Sequence, residues 1–256
     1  MMKCGVATTP MNINEKLQRA DGTEKASPKL FRSLVGGLNY RMHARPDISF
    51  SVSVVSRFLQ SPTKQHFGAV KRVLRYVAGT TDFGIWYSKA PNLRLVGFTD
   101  SDYIGCLDDR KNTFRNYFGF GSRVVTWSSK KQEIVALSTS ETEYTTTSLA
   151  VQQALWLRKL LEDFNYERKE FTEIIFDSKS TIAMAKNPSF HGRTKHIDVQ
   201  YHFIWTLVAD GRIVLKFCGT NEQATNIFTK SLPQAKHEYF RLQLGVCDFE
   251  LGGNVS

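Results

Sequence analysis

The first 27 residues carry no sustained hydrophobic period, and Pro10 with the polar run 19–24 reads as an extended arm. From Pro28 the apolar positions take helical spacing. Leu30, Leu34, Leu38 and Tyr40 fall roughly on one side, and Pro46 ends the element because proline removes a donor and clashes with the preceding turn. Ile48, Val52, Val55 and Phe58 mark a second helix. After Ser61-Pro62-Thr63, a third helix over 64–77 turns Phe67, Val70, Val73 and Leu74 inward and leaves Lys64, Lys71, Arg72 and Arg75 facing solvent. Residues 28–82 are thus predicted as a small, basic, all-helical unit.

Near Asp82 the period changes from helical to alternating. Residues 83–87, 93–99, 117–120 and 124–127 are short aromatic and β-branched runs separated by Gly, Pro and Asn, the pattern of a strand meander. The longest helical pattern follows over 137–164, with Leu149, Leu155, Trp156, Leu160 and Leu161 on its apolar side and Arg158-Lys159 facing out. A strand over 173–176, a short helix over 180–186, a helix over 201–209, a strand over 212–218 and helix again from 223 complete the reading. Antiparallel strands first and strand–helix alternation afterwards predict a mixed sheet covered by helices.

Composition adds a partner class. Of 256 residues, 41% are hydrophobic and 23% charged, which excludes disordered and fibrous classes. No apolar run approaches the ~18 residues of a membrane span. The first ten residues lack the apolar segment of a secretory signal, which predicts an intracellular protein, cytoplasmic or nuclear. The four cysteines are widely spaced without a C-x-x-C pair, which argues against a zinc knuckle or a disulfide framework. A formal charge of +10 favours a polyanion, because Lys and Arg gain affinity by neutralising phosphates.

The chemistry is carried by dispersed acids. Asp100 follows an apolar strand, Glu143 lies near the start of the long helix, and Asp177 ends the 173–176 strand. Taken singly each has a plainer role: Asp100 and Asp102 in a turn, Glu141 or Glu143 in the capping box that starts at Ser140, Asp177 as an N-cap. Three together, each at an element boundary that one sheet can bring to a common edge, point to a divalent-metal site. His191, His196 and His202 have no zinc spacing, and Trp127 and Trp156 are expected in the core.

In order, Phe98-Thr99-Asp100-Ser101-Asp102-Tyr103, Leu107-Asp108-Asp109-Arg110-Lys111, Thr126-Trp127-Ser128-Ser129-Lys130-Lys131-Gln132, residues 136–144, Phe176-Asp177-Ser178-Lys179-Ser180, Arg193-Thr194-Lys195-His196-Ile197-Asp198 and Ile227-Phe228-Thr229-Lys230 carry a family pattern. The pattern resembles the ribonuclease H domain of copia-type LTR retrotransposons. Upstream, Phe31-Arg32-Ser33-Leu34-Val35-Gly36-Gly37-Leu38, Arg45-Pro46-Asp47-Ile48-Ser49-Phe50 and Arg72-Val73-Leu74-Arg75-Tyr76 resemble the end of the adjoining reverse transcriptase.

The resemblance implies an α/β fold: a ribonuclease H-like mixed five-stranded sheet flanked by helices, preceded by a small helical thumb or connection remnant. It divides the chain into an arm (1–27), the helical remnant (28–82), the ribonuclease H-like domain (83–230) and a C-terminal helix and tail (231–256). It implies two-metal hydrolysis of the RNA strand of an RNA/DNA hybrid with Mg2+, or alternatively Mn2+. Asp100 would bridge two ions, with Glu143 rather than Glu141, and Asp177, completing the ligand shell. Lys71, Arg72, Arg75, Lys130, Lys131, Arg193 and Lys195 would lie along the nucleic acid.

Two departures stand out. The family's fourth ligand is an aspartate two residues before Phe-Thr-Lys, and here that position is Asn226, so impaired turnover, or a relic that only binds nucleic acid, is expected. Phe114 and Arg115 stand where the family has a small, glycine-containing segment. The Tyr-x-Asp-Asp polymerase signature is absent, since Cys106 precedes Leu107-Asp108-Asp109, and no DNA synthesis is expected.

Overall fold

A computed structural model of the chain describes residues 5–88, 94–102, 113–121, 123–131, 139–166, 171–177, 182, 195–219 and 222–249, with backbone alone at 101–102, 113, 130–131, 139–144 and 195–201. In chain order its elements are α1 (Pro28–Met42), a 3-10 turn (Pro46–Ile48), α2 (Ser49–Ser56), α3 (Lys64–Ala78), β1 (Phe83–Ile85), β2 (Leu95–Asp102), β3 (Thr113–Phe120), β4 (Arg123–Lys131), α4 (Thr139–Asp163), β5 (Thr172–Phe176), α5 (Lys195–Ala209), β6 (Ile213–Phe217), α6 (Asn226–Thr229), α7 (Gln234–Gln243) and β7 (Val246–Asp248). They form two compact units, residues 1–89 with 226–256, and residues 90–225.

In the first unit, α1 to α3 enclose a core of Phe31, Val35, Leu38, Ile48, Val52, Val55, Phe58, Val70, Val73 and Tyr76. Ser27 caps α1 by accepting from the Leu30 amide, and Pro28 needs no amide partner in the first turn. The inward stripe of α1 runs Phe31, Val35, Leu38, whereas Leu30 and Tyr40 are exposed. Spacings of four and three keep residues on one face, and Tyr40, two residues past Leu38, is carried to the far side.

The arm docks on these helices. His66 completes a capping box with Thr63 and lies 3.2 Å from the Gln18 carbonyl. Arg72 Nη2 donates to Thr9 Oγ1 at 2.9 Å. The first run of the expected meander is absent from the large sheet: β1 pairs antiparallel with β7, Gly84 opposite Cys247. Alternation identified a strand but not a partner far along the chain. A Cβ on Gly84 would sit 2.4 Å from the Phe249 ring, so a larger residue here would push that half-exposed ring aside.

A buried polar network lies beneath. Arg45 grips Asp47 through two bonds of 2.8 and 2.7 Å, and Tyr76 donates its hydroxyl to the same carboxylate at 2.7 Å. His237 Nε2 is 3.2 Å from the Asp47 carbonyl. Burial holds the His237 imidazole below its ordinary value despite the nearby Asp47 carboxylate. As pH falls the unfolded chain therefore takes up this proton first. The stability that neutral His237 contributes is present above about pH 6.5 and is lost as pH drops through its folded value. Asp47 acts at lower pH. Burial pushes its carboxyl up, but the bonds and charge of Arg45 outweigh this and leave it below the usual carboxylate range, so its contribution is lost only below about pH 3.8. Urea midpoints are expected to fall between pH ~7.5 and ~5.5, and to fall less in His237→Gln; equal falls would place the acid sensitivity elsewhere.

In the second unit the sheet is mixed and five-stranded, ordered β4-β3-β2-β5-β6, with β2 to β4 antiparallel and β5 and β6 parallel to β2. One face carries Leu95, Phe118, Ile174, Phe176, Ile213 and Leu215 against Ala150, Val151, Ala154 and Leu157 of α4 and Ile204 and Leu207 of α5. The buried stripe of α4 is built of small residues. Trp156, expected in the core, is 57% exposed, because the large apolar residues sit one step round the helix from the alanines that let it approach the sheet. Gly97 has the same purpose on β2: a Cβ there would lie 2.5 Å from the Phe118 ring. The expected helix over 180–186 falls, apart from Ile182, outside the described residues.

Candidate active site

Along β2, Leu95, Gly97 and Thr99 are buried while Val96, Phe98 and Asp100 are partly exposed. Period-two alternation thus puts Asp100 within a strand, on the face opposite the apolar core, rather than in a turn. The parallel pairs Val96↔Glu173, Gly97↔Ile174 and Phe98↔Ile175 set β5 in step with β2. Asp100 lies two residues beyond Phe98 on β2, and Asp177 two beyond Ile175 and just past the end of β5, so the parallel register leads both towards the same end of the sheet. β6 extends the row: Phe176 pairs with Phe217, and the Cys218 amide donates to the Phe176 carbonyl at 3.0 Å.

Electrostatics agree with the register. The Cys218 thiol is pushed up to about 11, by burial first and then by the negative charges of Asp177, Glu222 and Asp100. The three carboxylates that add to the effect of burial lie close enough to Cys218 to be felt there, which gathers negative charge at this end of the sheet. Tyr117, stacked on Phe98 with ring centroids 4.6 Å apart, is raised well above its ordinary value by burial, with Cys218 adding to it. Gln223 Nε2 donates to the Thr99 carbonyl at 3.0 Å and ties the chain after Glu222 to β2.

The remaining expected ligands are placed less fully. Position 143 lies on α4 one turn before Thr146 and Thr147, which are buried on the helix that packs against β2, and its side chain lies outside the described residues. The helix begins at Thr139, so Ser140 is inside it and is not the N-cap of a box with Glu143. Asn226 opens α6 in the other unit, 5% exposed, its carbonyl accepting from Thr229 Oγ1 at 3.1 Å. Among the described residues, no group of three or more His, Cys, Asp or Glu is arranged to hold a metal ion.

Of the basic residues, Lys71 is exposed, with Nζ 5.1 Å from the Phe67 ring centroid. Arg72 and Arg75 are half-buried rather than solvent-facing, and Arg72 anchors the arm at Thr9. Lys130 and Lys131 end β4 and Lys195 opens α5, described by backbone alone; Arg193 lies outside the described residues. Glu222, Gln223, Cys218 and Arg115 went unmarked as site residues. Strand pairing sets Arg115 opposite Asp100, while the Gln223 bond to Thr99 and the charges felt by Cys218 bring the other three to the same end of the sheet.

The chain is 39% identical over 217 residues to the retrovirus-related Pol polyprotein from transposon TNT 1-94 of Nicotiana tabacum, a match covering 84% of this chain and 16% of the relative. It is 35% identical over 246 residues to that from transposon RE1 of Arabidopsis thaliana, covering 96% of this chain and 17% of the relative. The chain belongs to the copia-type retrovirus-related Pol polyproteins. As a Pol segment it spans about a sixth of the length of these two relatives, 16% and 17%. A shorter relative, the secreted RxLR effector protein 161 of Plasmopara viticola, is 41% identical over 128 residues, 50% of this chain and 90% of that one. No family model matches.

Among solved structures, LC11-RNase H1 from compost aligns at 13% identity and a TM-score of 0.39, covering 51% of this chain and 88% of that one. A foamy viral protease-reverse transcriptase in complex with double-stranded DNA aligns at 12% identity and a TM-score of 0.43, covering 81% of this chain and 33% of that one. The fold assignment rests on the Pol segment's own strand order and directions: a ribonuclease H-like mixed sheet of five strands with flanking helices. Among the described residues no helix is long and apolar enough to cross a membrane.

Proposed function

We propose that the unit of residues 90–225 is a nuclease that hydrolyses the RNA strand of RNA/DNA hybrids, with Asp100, Glu143 and Asp177 as divalent-metal ligands. The observation that supports this reading is the parallel register of β2 and β5, which leads Asp100 and Asp177 towards one end of the sheet, where their charges and that of Glu222 add to the burial that raises the Cys218 thiol. The donor set fits Mg2+ or Mn2+: carboxylate oxygens are hard ligands, and Mg2+ keeps several waters and needs few of them. Such ions, when bound, supply an activated water and neutralise the leaving oxygen of a phosphodiester. Gln223 holds the Glu222 segment against β2, adding a carboxylate whose charge reaches the same site.

Lys71, Lys130, Lys131, Arg193 and Lys195 would contribute phosphate contacts, and the +10 formal charge supports a salt-sensitive polyanion partner. Mg2+-dependent cleavage of a labelled hybrid by the full chain tests the reading; binding without cleavage would leave the second reading, a hybrid-binding relic. That alternative is favoured by Asn226, which offers an amide where the family motif carries a charge. Asn226→Asp is expected to raise the cleavage rate at least about tenfold, since a full carboxylate ligand stabilises metal-bound charge that an amide stabilises only weakly. An unchanged rate would remove position 226 from the reaction.

A further inference from the structure

We propose that Gln223 is a positioning residue for Asp100: its side-chain amide holds the end of β2 where pairing with β5 stops, and so presents the carboxylate to a divalent cation in one place. The inference rests on the metal reading above. β2 runs to Asp102, but its pairing with β5 ends at Phe98↔Ile175, two residues before Asp100. Along its other edge β3 stays in step as far as Asp102↔Thr113. Among the described residues, the stretch 99–102 thus keeps a strand partner along one edge alone. A backbone carbonyl inside a fold needs a donor, and at Thr99, one residue past the last β5 pair, Gln223 Nε2 supplies one at 3.0 Å. Thr99 is 1% exposed, and its Oγ1 donates to the Arg115 carbonyl of β3 at 3.3 Å. The residue before Asp100 is therefore fixed twice, to β3 by its hydroxyl and to the 222–225 segment by its carbonyl.

The hydrogen bond reaches Asp100 through a single peptide unit. The carbonyl of residue 99 and the amide of residue 100 share one plane, so fixing that carbonyl orients the plane from which the Asp100 Cα departs. The other end of the Gln223 amide indicates what the bond serves. A carbonyl only accepts, so the amide turns its nitrogen to Thr99 and leaves Oε1 elsewhere. Oε1 is buried without a hydrogen-bond partner among the described residues, in a side chain that is 0% exposed. Buried acceptors are nearly always matched, and an apolar side chain of the same length would fill this space with no orphaned oxygen. Glutamine is a poor choice here for packing and a good one for donating to Thr99. Such a conflict with packing is expected where a strand end is held for a reaction rather than for the core.

Mn2+ binding followed by electron paramagnetic resonance, and amide hydrogen exchange, test this on the full chain in wild type and Gln223→Met, which keeps the side chain's length and removes the donor. Mn2+ affinity is expected to fall about tenfold, the lower end of what losing a partner that orients a ligand costs. Exchange over 99–102 is expected to quicken about fivefold while β6 keeps its rates. The urea midpoint is expected to stay near that of wild type, because one hydrogen bond is lost and one orphaned oxygen is removed. A lowered midpoint with unchanged Mn2+ affinity makes Gln223 a structural residue and overturns the proposal, as does unchanged exchange over 99–102. Absence of Mn2+ binding in wild type overturns the metal reading instead, and the exchange rates then decide whether Gln223 holds β2. Should Gln223→Met fail to fold, Gln223→Asn, which withdraws the amide by one methylene, takes its place with the same expected results.

Discussion

Asp100→Asn is expected to lower Mg2+-dependent cleavage of an RNA/DNA hybrid by more than about a hundredfold while leaving the urea-unfolding transition cooperative. Asparagine preserves the shape and one oxygen but removes the charge that draws a divalent cation to the strand end. Asp100 stands on β2, whose parallel neighbour β5 leads into Asp177, and its charge, with those of Asp177 and Glu222, adds to the burial that raises Cys218. The same substitution should therefore bring the Cys218 thiol down from its value near 11, read by the pH dependence of its alkylation in a variant whose Cys4, Cys106 and Cys247 are replaced. Cleavage that survives Asp100→Asn would remove this carboxylate from the chemistry, whatever the thiol does.

The second large effect concerns stability. Asp47→Ala is expected to destabilise the unit of residues 1–89 and 226–256 by about 3–5 kcal/mol, because it leaves the Arg45 guanidinium buried without its partner. Asp47 is 1% and Arg45 2% exposed, and the carboxylate also accepts the Tyr76 hydroxyl. Burial and the Asp47 charge together hold that phenol far above its ordinary range, so loss of Asp47 removes a main reason for it to stay there. The contrast lies in the same unit: Lys64 and Glu24 also form an ion pair, but with side chains 65% and 77% exposed, and Glu24→Ala should cost less than about 1 kcal/mol. Against a total stability of about 5–15 kcal/mol, the first change leaves the unit marginal and the second leaves it intact. Urea unfolding of both variants checks the ranking.

The Arg45–Asp47 network illustrates why the sequence was only partly legible. Arg45-Pro46-Asp47 was visible as a family motif, but its purpose was not, since Thr80 and His237 meet it only in the fold. The apolar period around α2 is legible in the sequence: Val52 and Val55 within it, Ile48 before it and Phe58 after it are all buried. The faces of α1 and α4 were displaced by one step, because large side chains were counted where Phe31, Val35 and the alanines Ala150 and Ala154 pack. Asp100 and Asp177 were legible as acids that close apolar strands, a pattern that needs no partner to be seen.

What the sequence determined by itself is local and periodic. Its alternations of two and 3.6 named the helices and strands, its charge named a class of partner, and its ordered motifs named the Pol family. What only the tertiary structure decided is register. The step between β2 and β5 leads Asp100 and Asp177 towards one end of the sheet, the step between β2 and β3 puts Arg115 opposite Asp100, and β1 closes on β7 rather than on the large sheet. A strand's own residues specify which face is apolar, but a shift along a neighbour depends on every side chain packed across the sheet. The acids are therefore found in the sequence, and the strands that stand beside them are found in the fold.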